Sequence, residues 1–161
     1  MKTLHLLRHA KSDWGDSALP DHDRPLNKRG KRARMAVADH VTGWTVDLVV
    51  CSTANRARAT AKPVVKALDC PVRYDAALYA ADAAGLLAVV RGLDDEVATV
   101  MLVGHNPSME DFTELLCGET PAYPTAALGT VELAVDRWAD ASPGSGTLTA
   151  FVTPEQLDAI P

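Results

Sequence analysis

Two histidines in this chain stand where a histidine can do chemistry. His9 follows Arg8 at the end of the run Leu4-His5-Leu6-Leu7, and His105 follows Gly104 at the end of Val100-Met101-Leu102-Val103. Short apolar runs closed by a turn read as buried strands of an α/β sheet. Such sheets bind ligands outside the carboxyl ends of their strands. A lone strand-end histidine ordinarily caps a carbonyl, but the repeated ending argues for a shared site. Arg56 belongs with the pair, in the first turn of a helix predicted after a third apolar run, Leu48-Val49-Val50-Cys51, which ends at Ser52. A helix N-terminus offers unpaired N–H groups and partial positive charge, and a guanidinium adds a planar fork for phosphate oxygens. Two imidazoles with two guanidiniums suit phosphoryl transfer better than metal binding. Two histidines without a third ligand at the right spacing make a poor zinc site, and arginines repel a cation. The chain has neither a G-x-x-x-x-G-K-[ST] loop nor a G-x-S-x-G elbow.

These residues fall in three motifs: Arg8-His9-Ala10, then Ser52-x-x-x-Arg56-Ala57-x-x-Thr60, then Gly104-His105-Asn106-Pro107. In that order, each at a predicted strand-to-helix junction, they resemble the histidine phosphatase (phosphoglycerate mutase-like) superfamily. The short chain and the opening Arg8-His9-Ala10-Lys11-Ser12 look most like the SixA-type phosphohistidine phosphatases. The resemblance runs from Met1 to about Pro124-Thr125-Ala126 and the strand after it. It implies a three-layer α/β/α fold around a central, mostly parallel sheet, and a metal-independent phosphatase without a cofactor. It also implies a substrate that is a phosphorelay-type phosphoprotein or a small phosphorylated molecule. A non-catalytic phosphate-binding module is the alternative of another class.

On this reading neutral His9 attacks phosphorus and water then cleaves the phospho-His9 intermediate. Arg8, Arg56 and a protonated His105 would neutralise the phosphoryl oxygens. Arg24, Ser12 and Asn106 are the candidates to touch substrate beside them. Arg24 sits in the loop before the next helix, where it could reach over the first strand's end, and the resemblance implies a phosphate-site neighbour in that segment. The sequence departs from larger relatives at Leu78-Tyr79-Ala80-Ala81, where they carry a glutamate that protonates the leaving group. The nearest carboxylates are Asp75 and Asp82, each of which could equally be a turn residue or helix cap, and Asp13, Asp16 or Asp23 could swing in from the first loop. A missing acid favours a phosphoramidate or an activated ester, since an imidazole, with a reference pKa of ~6.5, departs neutral where an alkoxide needs a proton.

The elements that must position these groups follow from pattern and punctuation. After the first strand, residues 13–25 carry Gly, Pro and Asp and read as a loop. A helix is expected from Leu26 to about Val41, whose Lys28, Lys31, Arg32 and Arg34 read as a solvated face. The helix carrying Arg56 runs to about Leu68, capped by Ser52 or Thr53 and holding Pro63. Residues 71–74 suit an edge strand, 83–93 a helix, and Asn106-Pro107-Ser108 a helix start. Two strands close the chain, at 130–135 and 147–152, around a turn at Ser142–Gly146.

At 161 residues the chain suits one domain spanning 1–161. A net charge of −5 gives no overall positive field for nucleic acid or an anionic membrane. Three scattered cysteines form neither a disulfide framework nor a zinc motif and fit a reducing compartment. With no apolar run of spanning length and a first strand starting at residue 2 or 3, the expected location is the cytoplasm.

Overall fold

In the computed structural model, which describes residues 1–158, six strands form one sheet in the order β3-β2-β4-β1-β5-β6. The strands are β1 (Lys2–Arg8), β2 (Leu48–Cys51), β3 (Val72–Tyr74), β4 (Thr99–Gly104), β5 (Leu128–Leu133) and β6 (Gly146–Val152). Neighbours among β3, β2, β4 and β1 run parallel, and β5 and β6 add antiparallel pairs beside β1. The fold is thus the α/β architecture expected, with a mostly parallel sheet. Helices α1 (Lys28–Val41) and α2 (Asn55–Leu68) pack on one face. On the other lie α3 (Ala77–Ala80), α4 (Ala83–Arg91) and α5 (Ser108–Cys117). A last short helix, α6 (Pro154–Asp158), contacts α1.

The continuous apolar runs follow from this layering. Successive side chains of a strand point to opposite faces, and both faces here are covered. In β4, Val100 and Leu102 join the core under α4 and α5, while Met101 and Val103 join the core under α1 and α2. Alternation would therefore place a polar group inside one layer or the other.

Boundaries moved where side chains compete with helix. Leu26 lies outside α1, because it pairs with Ser12 in an isolated antiparallel bridge, and Asn27 caps the helix by accepting from the Gly30 N–H. Ser52 and Thr53 do not cap α2, whose cap position falls to Ala54. The Ser52 hydroxyl instead accepts from the Ala54 N–H. Arg34 is not solvated either: its guanidinium donates to the Ala59 carbonyl of α2 at 2.8 Å. A glycine is required at position 30, since a methyl group there would collide with the Lys11 carbonyl. That contact seats the start of α1 on the chain just beyond His9. Among the described residues no helix is long and apolar enough to cross a membrane.

Candidate active site

Because β2, β4 and β1 are parallel neighbours, the residues that follow them emerge side by side. Ser52, His105 and His9 do so in that order across the sheet. The two imidazole rings lie 5.0 Å apart between centroids, and both residues are buried. A pocket of about 240 Å³ opens against His9, lined also by Arg8, Ser12, Trp14, Asp21, Arg24 and Arg56.

His9 is held in one tautomer. Its Nδ1 is 2.7 Å from the carbonyl oxygen of Ala10. A carbonyl only accepts, so Nδ1 carries the proton and Nε2 keeps its lone pair. Burial lowers the His9 pKa to about 4, helped by Arg56, Arg8 and Arg24 and opposed by the Ala10 hydrogen bond. The imidazole is therefore neutral and nucleophilic at ordinary pH. Ala10 is fixed in turn. Its N–H donates to Thr60 Oγ1 at 2.8 Å, and the Thr60 hydroxyl donates to the Arg56 carbonyl at 2.7 Å. The turn that carries His9 and the helix that carries Arg56 thus share one fully buried threonine.

The cations are spent on a group the sequence reading did not single out. Asp21, in a single 3-10 turn at Asp21–Asp23, accepts from Arg24 Nη1 at 3.0 Å through Oδ1. Through Oδ2 it accepts from Arg56 Nη2 at 2.9 Å and from the Tyr79 hydroxyl at 2.7 Å. The Asp21 carbonyl takes a further bond from Arg56 Nη1 at 2.8 Å. The Tyr79 bond, then Arg56 and Arg24, pull the Asp21 carboxyl down to about 2. A carboxylate thus sits on the two guanidiniums that would otherwise meet a phosphoryl group. The loop carries four aspartates, and spacing alone could not pick this one. Tyr79 lies in the segment that lacks the relatives' glutamate, and no spacing signal marks its hydroxyl as a partner of Asp21.

The remaining candidates divide. Ser12 lines the pocket and accepts from Arg24 Nη2 at 2.6 Å. Arg8 donates to the Tyr123 carbonyl at 2.7 Å, and its buried Nε has no partner among the described residues. Trp14 lies at the pocket mouth under the Arg24 guanidinium, 75% exposed, so it is not core packing. Asn106 does not line the pocket. Its side chain donates to the Tyr123 carbonyl and accepts from the Glu110 N–H, and so ties down the loop before β5. Asp75 and Asp82 are not brought to the site as proton donors either. Asp75 accepts from the Ala77 N–H, and Asp82 caps α4 through the Gly85 N–H. Asp13 and Asp16 accept from backbone N–H groups of their own loop.

His105 stands beside His9 with its ring neutral. Its Nε2 pairs with Ser52 Oγ at 2.8 Å, and its buried Nδ1 has no partner among the described residues. Burial, then His9 and Arg56, lower its pKa to about 3, which favours the neutral ring. An unsatisfied buried nitrogen costs roughly 1–3 kcal/mol.

The sequence model of the Histidine phosphatase superfamily (branch 1) matches residues 4–84. An uncharacterized protein of Mycobacterium tuberculosis is 34% identical over 92% of this chain and 99% of its own length. An uncharacterized chloroplastic protein of Arabidopsis thaliana is 30% identical over 96% of this chain and 78% of its own. Among solved structures, a protein from Agrobacterium tumefaciens assigned as the phosphohistidine phosphatase SixA superposes with a TM-score of 0.82. It is 30% identical and covers 95% of this chain and 98% of that one. The protein histidine phosphatase SixA complexed with tungstate gives 0.81 at 26% identity, covering 96% and 99%.

Two outcomes follow from the site's electrostatics. Nitrogen-detected NMR titration should show His9 as the neutral Nδ1–H form from pH 7 down to 5, with protonation near 4; a midpoint near the ordinary ~6.5 contradicts the geometry. Asp21→Asn should lower the inhibition constant of inorganic phosphate about tenfold, ~1.4 kcal/mol. An unchanged or higher constant would mean that Asp21 only braces the arginines.

Proposed function

The chain belongs to the histidine phosphatase superfamily, branch 1, and is a phosphatase of the SixA-like kind; from that membership we propose that it removes phosphate from phosphohistidine on a protein, through a covalent intermediate on His9. In the first step the Nε2 lone pair of His9 attacks phosphorus, and the bond from phosphorus to the substrate's imidazole breaks. The departing ring keeps the electron pair and is neutral when its other nitrogen already carries a proton. In the second step water attacks phospho-His9, inorganic phosphate leaves with the water's oxygen, and His9 recovers its lone pair.

The Ala10 carbonyl serves both steps. It keeps a proton on Nδ1 throughout, so the ring is a nucleophile when bare and a neutral leaving group when phosphorylated. Arg8, Arg24 and Arg56 would stabilise charge on the phosphoryl oxygens, where preorganised donors matter most. Arg8, whose Nε is unpartnered, lines the same pocket, and the His105 ring lies 5.0 Å from the His9 ring. Support for a tetrahedral oxyanion also comes from the related SixA structure that holds tungstate.

One observation carries the choice of substrate class. The carboxylate lining the pocket is Asp21, and it is held ionised, down at about 2. It cannot protonate a leaving group at neutral pH. A phosphoramidate needs no such proton, and an aryl phosphate needs it little, whereas an alkyl phosphate depends on it. The pocket mouth at Trp14, 75% exposed, would admit a side chain displayed by another protein.

The test is a leaving-group series on one preparation: phosphoimidazole, an aryl phosphate and an alkyl phosphate. Rates should fall in that order, with the alkyl ester slower by the ~10²–10⁴-fold that general acid catalysis supplies. Equal rates on aryl and alkyl esters, or preference for an alkyl metabolite, would sink the phosphohistidine reading and point to a small-ester phosphatase.

A further inference from the structure

Beside the His9 pocket runs a second cavity of about 720 Å³, against about 240 Å³ for the pocket itself. The two share Lys11 and Thr125. One wall of the larger groove is the first turns of α1, with Arg29 and Arg32; the facing wall is Thr153 and the start of α6, with Glu155. Three cations therefore face one carboxylate, on a molecule whose net charge is −5.

These cations are not accounted for by folding. Of the six basic residues between Arg24 and Arg34, Arg24 is taken up by Ser12 and Asp21, and Arg34 by α2. Lys11, Arg29 and Arg32 are exposed and make no side-chain hydrogen bond or ion pair among the described residues. Their placement is nonetheless rigid. The Asn27 N–H donates to the Lys11 carbonyl, and Gly30 lies directly against that carbonyl. The helix that supplies Arg29 and Arg32 is thus clamped to the residue two places beyond His9.

We propose that this groove seats the acidic face of the protein that presents the phosphohistidine, with its carboxylates against Lys11, Arg29 and Arg32 while the phosphoryl group enters the His9 pocket. This rests on the phosphohistidine reading above. A trough of this volume, larger than a phosphoryl group with its imidazole requires, fits a length of polypeptide. Exposed like charges at its edge are suited to orienting a partner of opposite sign and speeding encounter. The same feature gives selectivity, because a basic flanking sequence would be repelled at the pocket mouth.

The test separates docking from catalysis. A fluorescein-labelled peptide of alternating Glu and Gly, carrying no phosphate, is titrated into the full chain and into the double variant Arg29→Gln, Arg32→Gln. Neither residue lines the His9 pocket, so phosphoimidazole hydrolysis should stay within about twofold of the native rate, as expected for distant independent sites. Affinity for the peptide should fall about tenfold in the variant and weaken with added salt in the native chain, the behaviour of exposed charge pairs. Equal peptide affinity in both proteins, or no peptide binding to either, overturns the proposal. Arg29- and Arg32-dependent binding of inorganic pyrophosphate without peptide binding also overturns it, in favour of a subsite for a second phosphate. Because the peptide carries no phosphate, failure of the phosphohistidine reading would show in the leaving-group series and not here.

Discussion

One hydrogen bond decides what His9 can do: the Nδ1 proton given to the Ala10 carbonyl. A neutral imidazole has two tautomers, and only one leaves Nε2 open. The bond fixes that choice locally, between adjacent residues, so it needs the turn at Ala10 to be rigid. Thr60 supplies the rigidity by receiving the Ala10 N–H and passing its own proton to the Arg56 carbonyl. The turn bearing His9 and the helix bearing Arg56 are therefore set by one buried hydroxyl. Parallel strands bring the remaining groups alongside: His105 and Ser52 leave β4 and β2 on the same edge of the sheet, and their side chains bond each other there.

Guanidiniums gathered beside a buried imidazole repel one another and help hold His9 deprotonated. Asp21 relieves this by lying across Arg24 and Arg56, with Tyr79 bonded to the same carboxylate oxygen that meets Arg56. On the proposed function, phosphate would exchange with this carboxylate, an exchange that would lower its net affinity. The exposed loop around Asp21, anchored mainly by Arg24 and Arg56 and by bonds from the Asn55 and Tyr79 side chains, is built of polar contacts that can be remade.

The sheet, its strand ends and the meeting of Arg8, His9, Arg56 and His105 were legible in the sequence, because buried parallel strands leave continuous apolar runs and place their successors at one edge. Arg24 was legible from its place in the loop before α1, where it could reach over the end of β1, with the resemblance placing a phosphate-site neighbour in the same segment. Contacts formed between loops were not legible. Asp21 is one of four aspartates in a short segment, and only the fold shows that its carboxylate reaches Arg56, 35 positions away. Asp75 and Asp82 look equivalent to it as carboxylates near a motif, yet each is consumed by the backbone of its own helix start. The burial of His105 was not legible either: the sequence shows a histidine among arginines, and burial next to cations favours the neutral ring.

The account stands on His9 Nε2 as the atom that accepts phosphorus. Its most direct test is a rapid-quench experiment with phosphoimidazole, stopped in alkaline denaturant to preserve phosphoramidate bonds and mapped by peptide mass spectrometry. Phosphate is expected on the peptide bearing His9, on Nε2, and absent from the His9→Ala variant. Phosphate on His105, or label that survives the His9→Ala change, would contradict it.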